Sequence, residues 1–278
     1  MNTPAPMSVE TFKQIRDFIY EKSGIFIPDN KKYFLENRLG RRVQEKGLKG
    51  YDDYAYILKY GTDKAELSKL FDLVTTNETF FFREPQHFEI LGKDLLTRII
   101  PENSGAGRKD IKIWCAASST GEEPYTIAIV LQERPDIAGF RKEIYASDIS
   151  ESVLASARNG VYGSYAIRNV PEAYLKKYFT NTNANYAVSP SIKSMVKFMK
   201  INLLDDKETK AIRGADVIFC RNVLIYFDDK AKQKAVSLMY DALRPKGYLF
   251  VGTSESLHNV TRAFKPVVIN RVVVYQKI

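Results

Sequence analysis

Histidine and cysteine are nearly absent: the 278-residue chain has two of each. Two histidines are too few for the usual zinc ligand sets, so no metal is expected. Cys115 and Cys220 each stand near the end of an apolar run, which reads as two buried thiols rather than a disulfide or a metal pair. No apolar stretch is long enough to cross a bilayer. The first residues, Met-Asn-Thr-Pro-Ala-Pro-Met, lack the basic and then apolar pattern of a signal peptide. A cytoplasmic monomer with no direct membrane insertion is the expectation. Internal repeats and low-complexity segments are missing too, which leaves an ordinary globular composition and a length sufficient for one or two domains.

What the chain has in excess is positive charge, a net +9. It concentrates between Lys31 and Gly50, where Lys31, Lys32, Arg38, Arg41, Arg42, Lys46 and Lys49 outnumber Glu36 and Glu45. The excess suits an acidic partner without choosing its kind. On charge pattern alone this is an ordinary solvated helix face. Phe12, Ile15, Phe18 and Ile19 share one face of a helix over Ser8–Tyr20, with Ser8 and Thr11 as candidate N-caps and Gly24 and Pro28 beyond its end. Leu35, Leu39 and Val43 mark a second helix from about Asn30 to Lys46, and Tyr51–Tyr60 and Ala65–Thr75 two more. A small helical domain, residues 1–75, is expected.

A linker, residues 76–110, follows. The stretch Thr75-Thr-Asn-Glu-Thr-Phe-Phe-Phe-Arg-Glu-Pro85 sets three phenylalanines in a polar frame. Either the rings pin the segment into a core while its polar residues face a site, or it is a hydrophobic linker. A helix is predicted over His87–Ile100 and a loop over 101–110. Ile111–Ala116 then ends in small residues and one glycine, and apolar residues resume at helical spacing from Thr126, which reads as strand, tight turn and helix. Such turns at the carboxyl ends of parallel strands hold nucleotide-like ligands. Here Ala116, Ala117, Ser118 and Ser119 stand where G-x-G would be expected, and Glu122 and Glu123 follow Gly121. Two acids at a helix start repel a pyrophosphate and favour a ligand with positive charge or hydroxyls. S-adenosylmethionine, with its sulfonium, amino group and ribose, fits.

A second strand, Glu143–Ile149, carries Asp148 at its carboxyl end, the place of a ribose-binding acid. A cap for the helix Glu151–Arg158 is the alternative. Residues 160–196, with Gly160, Gly163, Pro171 and Pro190, break the rhythm and read as an inserted antiparallel subdomain. Strands over Val196–Asp205 and Asp216–Cys220, a helix over Asp229–Leu243, a strand over Tyr248–Val251 and a terminal hairpin complete residues 111–278 as an α/β sheet with helices on both faces.

Five stretches, Thr75–Glu84, Ala116–Tyr125, Ala146–Ile149, Asn202–Leu204 and Phe219–Phe227, resemble in the same order the motifs of the chemotaxis receptor methyltransferases, the CheR type, and the match spans nearly the whole chain. The resemblance implies a class I S-adenosylmethionine-dependent, Rossmann-like domain with a small antiparallel β-subdomain, preceded by an all-α domain. The implied activity is methylation of glutamate side chains in the cytoplasmic helices of chemoreceptors. By the same resemblance Asn77, Thr79, Arg83 and Glu122 contact the cofactor, Asp148 holds the ribose, Asn202 and Leu203 lie by the adenine, and Arg221 and Asn222 close the pocket. Arg83 and Tyr226 fall near the methyl-transfer centre. Arg38, Arg41 and Arg42 match the family's receptor-docking surface, which reverses the reading from charge alone.

Members that bind a pentapeptide tether at the receptor C-terminus have a longer, glycine-containing loop in the β-subdomain. Tyr178–Tyr186 is short and glycine-free, so tether-independent docking is expected. A glutamate of pKa roughly 4.3 is ionised at neutral pH, so the transfer asks for alignment and not for a base. A methyltransferase of nucleic acid or of a small molecule would use the same cofactor residues, but no aromatic-interleaved basic groove is evident and no nucleic acid partner is expected. Intact Arg83 and Tyr226 argue against a non-catalytic module that only senses the cofactor.

Overall fold

The computed structural model describes residues 5–278; residues 1–4, which belong to the expected helical domain and to the signal-peptide reading, lie outside the described residues. Among the described residues no helix is long and apolar enough to cross a membrane.

The chain begins with α1 (Val9–Ser23), α2 (Lys32–Glu45), α3 (Tyr51–Tyr60) and α4 (Lys64–Val74). Of the two candidate caps Ser8 serves, its hydroxyl accepting from the Thr11 N–H at 3.0 Å. Phe12, Ile15 and Ile19 of α1 pack with Leu35, Leu39 and Val43 of α2 into one core, so helical spacing alone selected the buried faces. In its wall Glu66, 3% exposed, accepts from Arg42 at 2.6 Å, Lys46 at 2.9 Å and the Tyr54 hydroxyl at 2.8 Å. Burial would raise this carboxyl, but the three donors outweigh it and hold it at about 2. Arg42 is thereby committed to its own domain. This corrects the expectation that it stands with Arg38 and Arg41 as a docking cation: pulling it outward would strand a buried carboxylate. Arg38 lies over the Phe34 ring at 5.3 Å, and the Arg41 side chain is 88% exposed and pairs with Glu45.

Residues 76–84 lead to α5 (Pro85–Glu89), a π-helical turn (Ile90–Leu95) and α6 (Leu96–Gly105). The loop expected over 101–110 is shorter, because α6 runs through Pro101. The carbonyl that proline leaves unpaired is that of Thr97, an exposed residue. Buried Asn103 holds the last turn, donating to the Asp110 carbonyl at 2.8 Å and to Asp216 at 3.2 Å.

Then come β1 (Asp110–Ala116), α7 (Glu122–Gln132), β2 (Arg141–Asp148) and α8 (Glu151–Asn159). The insertion contributes β3 (Val161–Gly163), α9 (Ser164–Ile167), α10 (Glu172–Tyr178), β4 (Phe179–Thr182), β5 (Asn185–Val188) and α11 (Pro190–Lys193). The chain finishes with β6 (Val196–Lys200), α12 (Asp206–Thr209), β7 (Ala215–Cys220), α13 (Asp229–Ala242), β8 (Leu243–Val251), β9 (Phe264–Ile269) and β10 (Val272–Lys277). The seven-stranded sheet has the order β6-β2-β1-β7-β8-β10-β9, and β10 runs antiparallel to both its neighbours. A separate antiparallel sheet, β3-β5-β4, forms the β-subdomain. Arg-Pro-Lys-Gly247, between the expected helix and strand, is the irregular first half of β8, anchored by Arg244 on buried Asp216 at 2.7 Å. Both cysteines are fully buried and unbonded. Strand order reverses between β1 and β7, which opens a crevice at their carboxyl ends.

The Glu66→Gln variant is expected to lose about 3 kcal/mol of stability at neutral pH. The folded carboxyl titrates below its ordinary value, so its contribution is present above about 4.5 and lost as pH falls towards about 2. Denaturant unfolding should therefore separate wild type from variant at pH 7 and bring them together near pH 2.

Candidate functional site

The carboxyl ends of β1, β2, β6 and β7 open into a cavity of about 1050 Å³, solvent-open space included. Val74–Phe80 with Arg83 forms one wall, and Ser23 and Ile25 from the end of α1 form another. The phenylalanine stretch is pinned, not a bare linker. Phe81 is fully buried, edge-on to Tyr162 at 4.9 Å and Phe179 at 5.1 Å, and Phe82 packs on Phe88 and Tyr174. Their neighbours Asn77, Thr79 and Phe80 face the cavity.

The turn after β1 takes a glycine-like path without the glycines. Ala117 (φ 63°) and Ser119 (φ 47°) occupy the left-handed region, conformations that cost about 1–2 kcal/mol per residue. Only Gly121 is irreplaceable on space: at φ 94° an added Cβ would meet the Ala157 Cβ at 2.8 Å. Ser118 lines the cavity with a buried hydroxyl that has no partner among the described residues, an orphan that a polar ligand would satisfy.

Asn77, Thr79, Arg83, Asp148, Asn202, Leu203, Arg221, Asn222 and Tyr226 all line this one cavity. Asp148, 6% exposed, accepts from the Ser119 N–H at 2.9 Å and the Ser150 N–H at 3.0 Å. Burial pushes its carboxyl up against those two donors. The cap of α8 is Ser150, so Asp148 is not spent on that role. The Asn202 amide donates to the Lys22 carbonyl at 2.6 Å and accepts from the Leu204 N–H at 3.0 Å, which leaves one N–H and one lone pair.

Glu122 is the exception. It does not line the cavity; Thr120 donates to its carboxylate at 2.7 Å, and burial raises its pKa. Of the two acids that open α7 it is Glu123 that lines the cavity, because successive helical residues point about 100° apart. Glu123 pairs with Arg221 at 2.8 Å, and Glu84 pairs with the same guanidinium at 3.1 Å. Arg221 also donates to the Arg83 carbonyl and sits over the Phe88 ring at 5.2 Å. Burial raises Glu123 against the attraction of Arg221, whereas at Glu84 the cation prevails over burial and lowers it. His87, beneath them, is driven down to about 4 by burial and the adjacent cation, so it is neutral at physiological pH.

Glu255 escaped sequence reasoning altogether. Its carboxylate accepts the N–H groups of Asn222 (2.8 Å), Ile225 (3.2 Å) and Gly252 (2.7 Å), pinning the loop that carries Tyr226 to the end of β8. A Cβ at position 252 would lie 2.8 Å from that carboxylate, so glycine is needed for the approach. No local signal marks Glu255, since its partners are set by which strands adjoin.

Sheet order, the lone antiparallel strand and a cavity lined by an acid, amides and an orphan hydroxyl define a class I S-adenosylmethionine-dependent methyltransferase. Residues 77–273 match the family model described as "CheR methyltransferase, SAM binding domain", and residues 10–75 match "CheR methyltransferase, all-alpha domain". The chain belongs to the CheR methyltransferase family. It is 36% identical over 255 residues to chemotaxis protein methyltransferase 2 of Vibrio cholerae, covering 91% of this chain and 88% of that protein. Identity to the chemotaxis protein methyltransferase of Borreliella burgdorferi is 37% over 243 residues, covering 86% and 85%. For the Escherichia coli protein of that name it is 35% over 258 residues, covering 91% and 86%. The chain is an S-adenosylmethionine-dependent protein methyltransferase of the chemotaxis type.

Glu255→Ala strands three backbone donors, each costing about 1–3 kcal/mol when unpaired. The expected result is faster amide hydrogen exchange at Asn222, Ile225 and Gly252 and a lowered Tm, with Glu255→Gln intermediate. Unchanged exchange at all three positions would show that the loop holds itself.

Proposed function

We propose that this enzyme methylates glutamate side chains in the cytoplasmic helical domain of chemoreceptors, docking directly on those helices without a pentapeptide tether. What supports the substrate class is the pairing of Arg83 and Tyr226 on a cavity that, among the described residues, no histidine lines. A glutamate is ionised already and needs no proton acceptor there, only donors such as these two to hold it. Bound S-adenosylmethionine supplies an electrophilic sulfonium methyl, which the carboxylate takes to give a neutral methyl ester and S-adenosylhomocysteine.

The residues divide the remaining work. Asn77 and Thr79, the Asp148 carboxylate for the ribose, Asn202 and Leu203 beside the adenine, and Asn222 hold the cofactor. Glu123 rather than Glu122 presents a carboxylate to its ammonium. Arg221 shapes the floor through its two carboxylates. Arg83 makes no ion pair among the described residues, and its guanidinium is available to a carboxylate. The Tyr226 hydroxyl has no hydrogen-bond partner among the described residues and lines the same cavity, placed to donate to the unreactive oxygen. Arg38 and Arg41 present α2 to the acidic receptor surface, and neutral ester product binds such a cationic face less well than substrate.

For docking without a tether, the support is the β4–β5 hairpin. Thr182 and Asn185 are paired, which leaves a two-residue turn, Asn183–Ala184, and no extended loop for a peptide strand to join.

Incubation with methyl-labelled cofactor and receptor cytoplasmic fragments is expected to give label that mild alkali releases; alkali-stable label would instead indicate N-methylation and overturn the glutamate assignment. Calorimetric titration with an isolated receptor C-terminal pentapeptide should show no binding, and a measurable Kd would overturn tether independence.

A further inference from the structure

Arg168 follows α9 at the point where the β-subdomain meets the cavity wall. The Phe81 N–H donates to the Ala166 carbonyl at 2.9 Å, and the Tyr165 hydroxyl donates to Glu78 at 2.7 Å, so α9 is stitched to the cavity-lining stretch. In this seam the Arg168 guanidinium carbon lies 3.5 Å from the centroid of Phe80 and 3.7 Å from that of Tyr165, in the corner of two rings set edge to face at 74°. Its Nη1 donates to the Tyr165 carbonyl at 2.5 Å. The residue is exposed, and among the described residues it has no ion pair. The nearby carboxylate, Glu78, is engaged by Tyr165.

A guanidinium held against two rings and a backbone carbonyl has its side-chain freedom already restricted, so binding a carboxylate costs it little more entropy. Its planar fork of N–H groups is suited to bidentate pairing. The guanidinium carbon of Arg83, which lines the cavity, lies 5.9 Å from the centroid of the same Phe80 ring. The two cations are separated by no more than their two distances to that ring. Residues one helical turn apart carry their Cβ atoms on the order of 5–6 Å from each other. Two acidic side chains on adjacent turns of one substrate helix fall within that bound.

We propose that Arg168 is a specificity-determining residue: it pairs with a second carboxylate on the substrate, within one helical turn of the glutamate that enters the cavity. The inference rests on the glutamate reading above. Its consequence is that Arg168 senses the charge of the neighbouring side chain. A neighbour that is an amide, or already an ester, forfeits the pair, so methylation at one position weakens binding for the next.

The test uses the full chain with receptor cytoplasmic fragments in which each acidic residue within one turn of the labelled glutamate is changed singly to Gln. With wild-type enzyme, one such change is expected to raise KM about fivefold, the upper end for an exposed pair, with kcat unchanged. The Arg168→Ala enzyme should show that raised KM on the parent fragment and no further rise on the altered one, with unaltered cofactor Kd. Arg168→Lys should not rescue, because a lysine cannot stack on the rings. The wild-type difference should vanish near 1 M salt, where the screening length is about 3 Å. A KM indifferent to every Gln change overturns the proposal using wild-type enzyme alone, whatever the variants do. Additive rather than overlapping losses, or a weakened cofactor Kd in Arg168→Ala, would make Arg168 a prop for Phe80 only. Failure of the underlying reading is separate: wild-type enzyme would then leave no alkali-labile label on the parent fragment.

Discussion

The Arg221 guanidinium, closed in between Glu84 and Glu123, ties together three parts of the chain that would otherwise meet only at the cavity. Glu84 ends the phenylalanine stretch, Glu123 opens α7 after the β1 turn, and Arg221 follows β7. Its side chain is only 2% exposed, and removing it would leave two largely buried carboxylates uncompensated. The attachment continues outward: Glu84 also accepts from the Thr253 N–H and hydroxyl, which brings in the loop after β8. The cavity walls at the ends of β1, β7 and β8 are therefore held, directly or at one remove, by this cation. That suits a reaction whose demand on the protein is alignment, since small errors of position are costly in rate.

The helical domain is coupled to the same walls rather than merely tethered to them. Ile25 bridges to Phe227, the Phe26 N–H donates to the Tyr226 carbonyl at 2.8 Å, and the Tyr20 hydroxyl donates to Asp228 at 2.8 Å. Asn202 holds the Lys22 carbonyl, and Asp72 of α4 accepts from the Ser150 hydroxyl at 2.7 Å at the start of α8. The loop bearing Tyr226 thus lies between Glu255 on the sheet side and α1 on the helical side. A partner that engages α2 engages a body whose position relative to the catalytic loops is already set.

Charge is distributed with the same economy. Buried carboxylates are used to position cations and backbone donors: Glu66 for Arg42 and Lys46, Glu123 and Glu84 for Arg221, Glu255 for three N–H groups. Arg83 and Arg168, which among the described residues have no ion pair, are held by rings and backbone carbonyls instead.

Much of this was legible in the sequence because its signals are local. Phe12, Ile15 and Ile19 declare a buried helix face within two turns, Leu35, Leu39 and Val43 do the same, and the small residues after Ile113-Trp114-Cys115 declare the ligand turn. Nine of the ten residues expected at the cofactor and catalytic site line one cavity, since each belongs to a motif at the end of a strand and parallel strands bring those ends together. What only the tertiary structure decided is which partner each polar side chain takes. Glu123 rather than Glu122 reaches the cavity because packing fixes the rotation of α7. Arg42 is withdrawn from the surface by Glu66, 24 residues away in the chain, and Glu255 finds its donors up to 33 residues back. Long side chains choose among neighbours that the strand order supplies, and that order is set by burial over the whole sheet, not by any window of sequence.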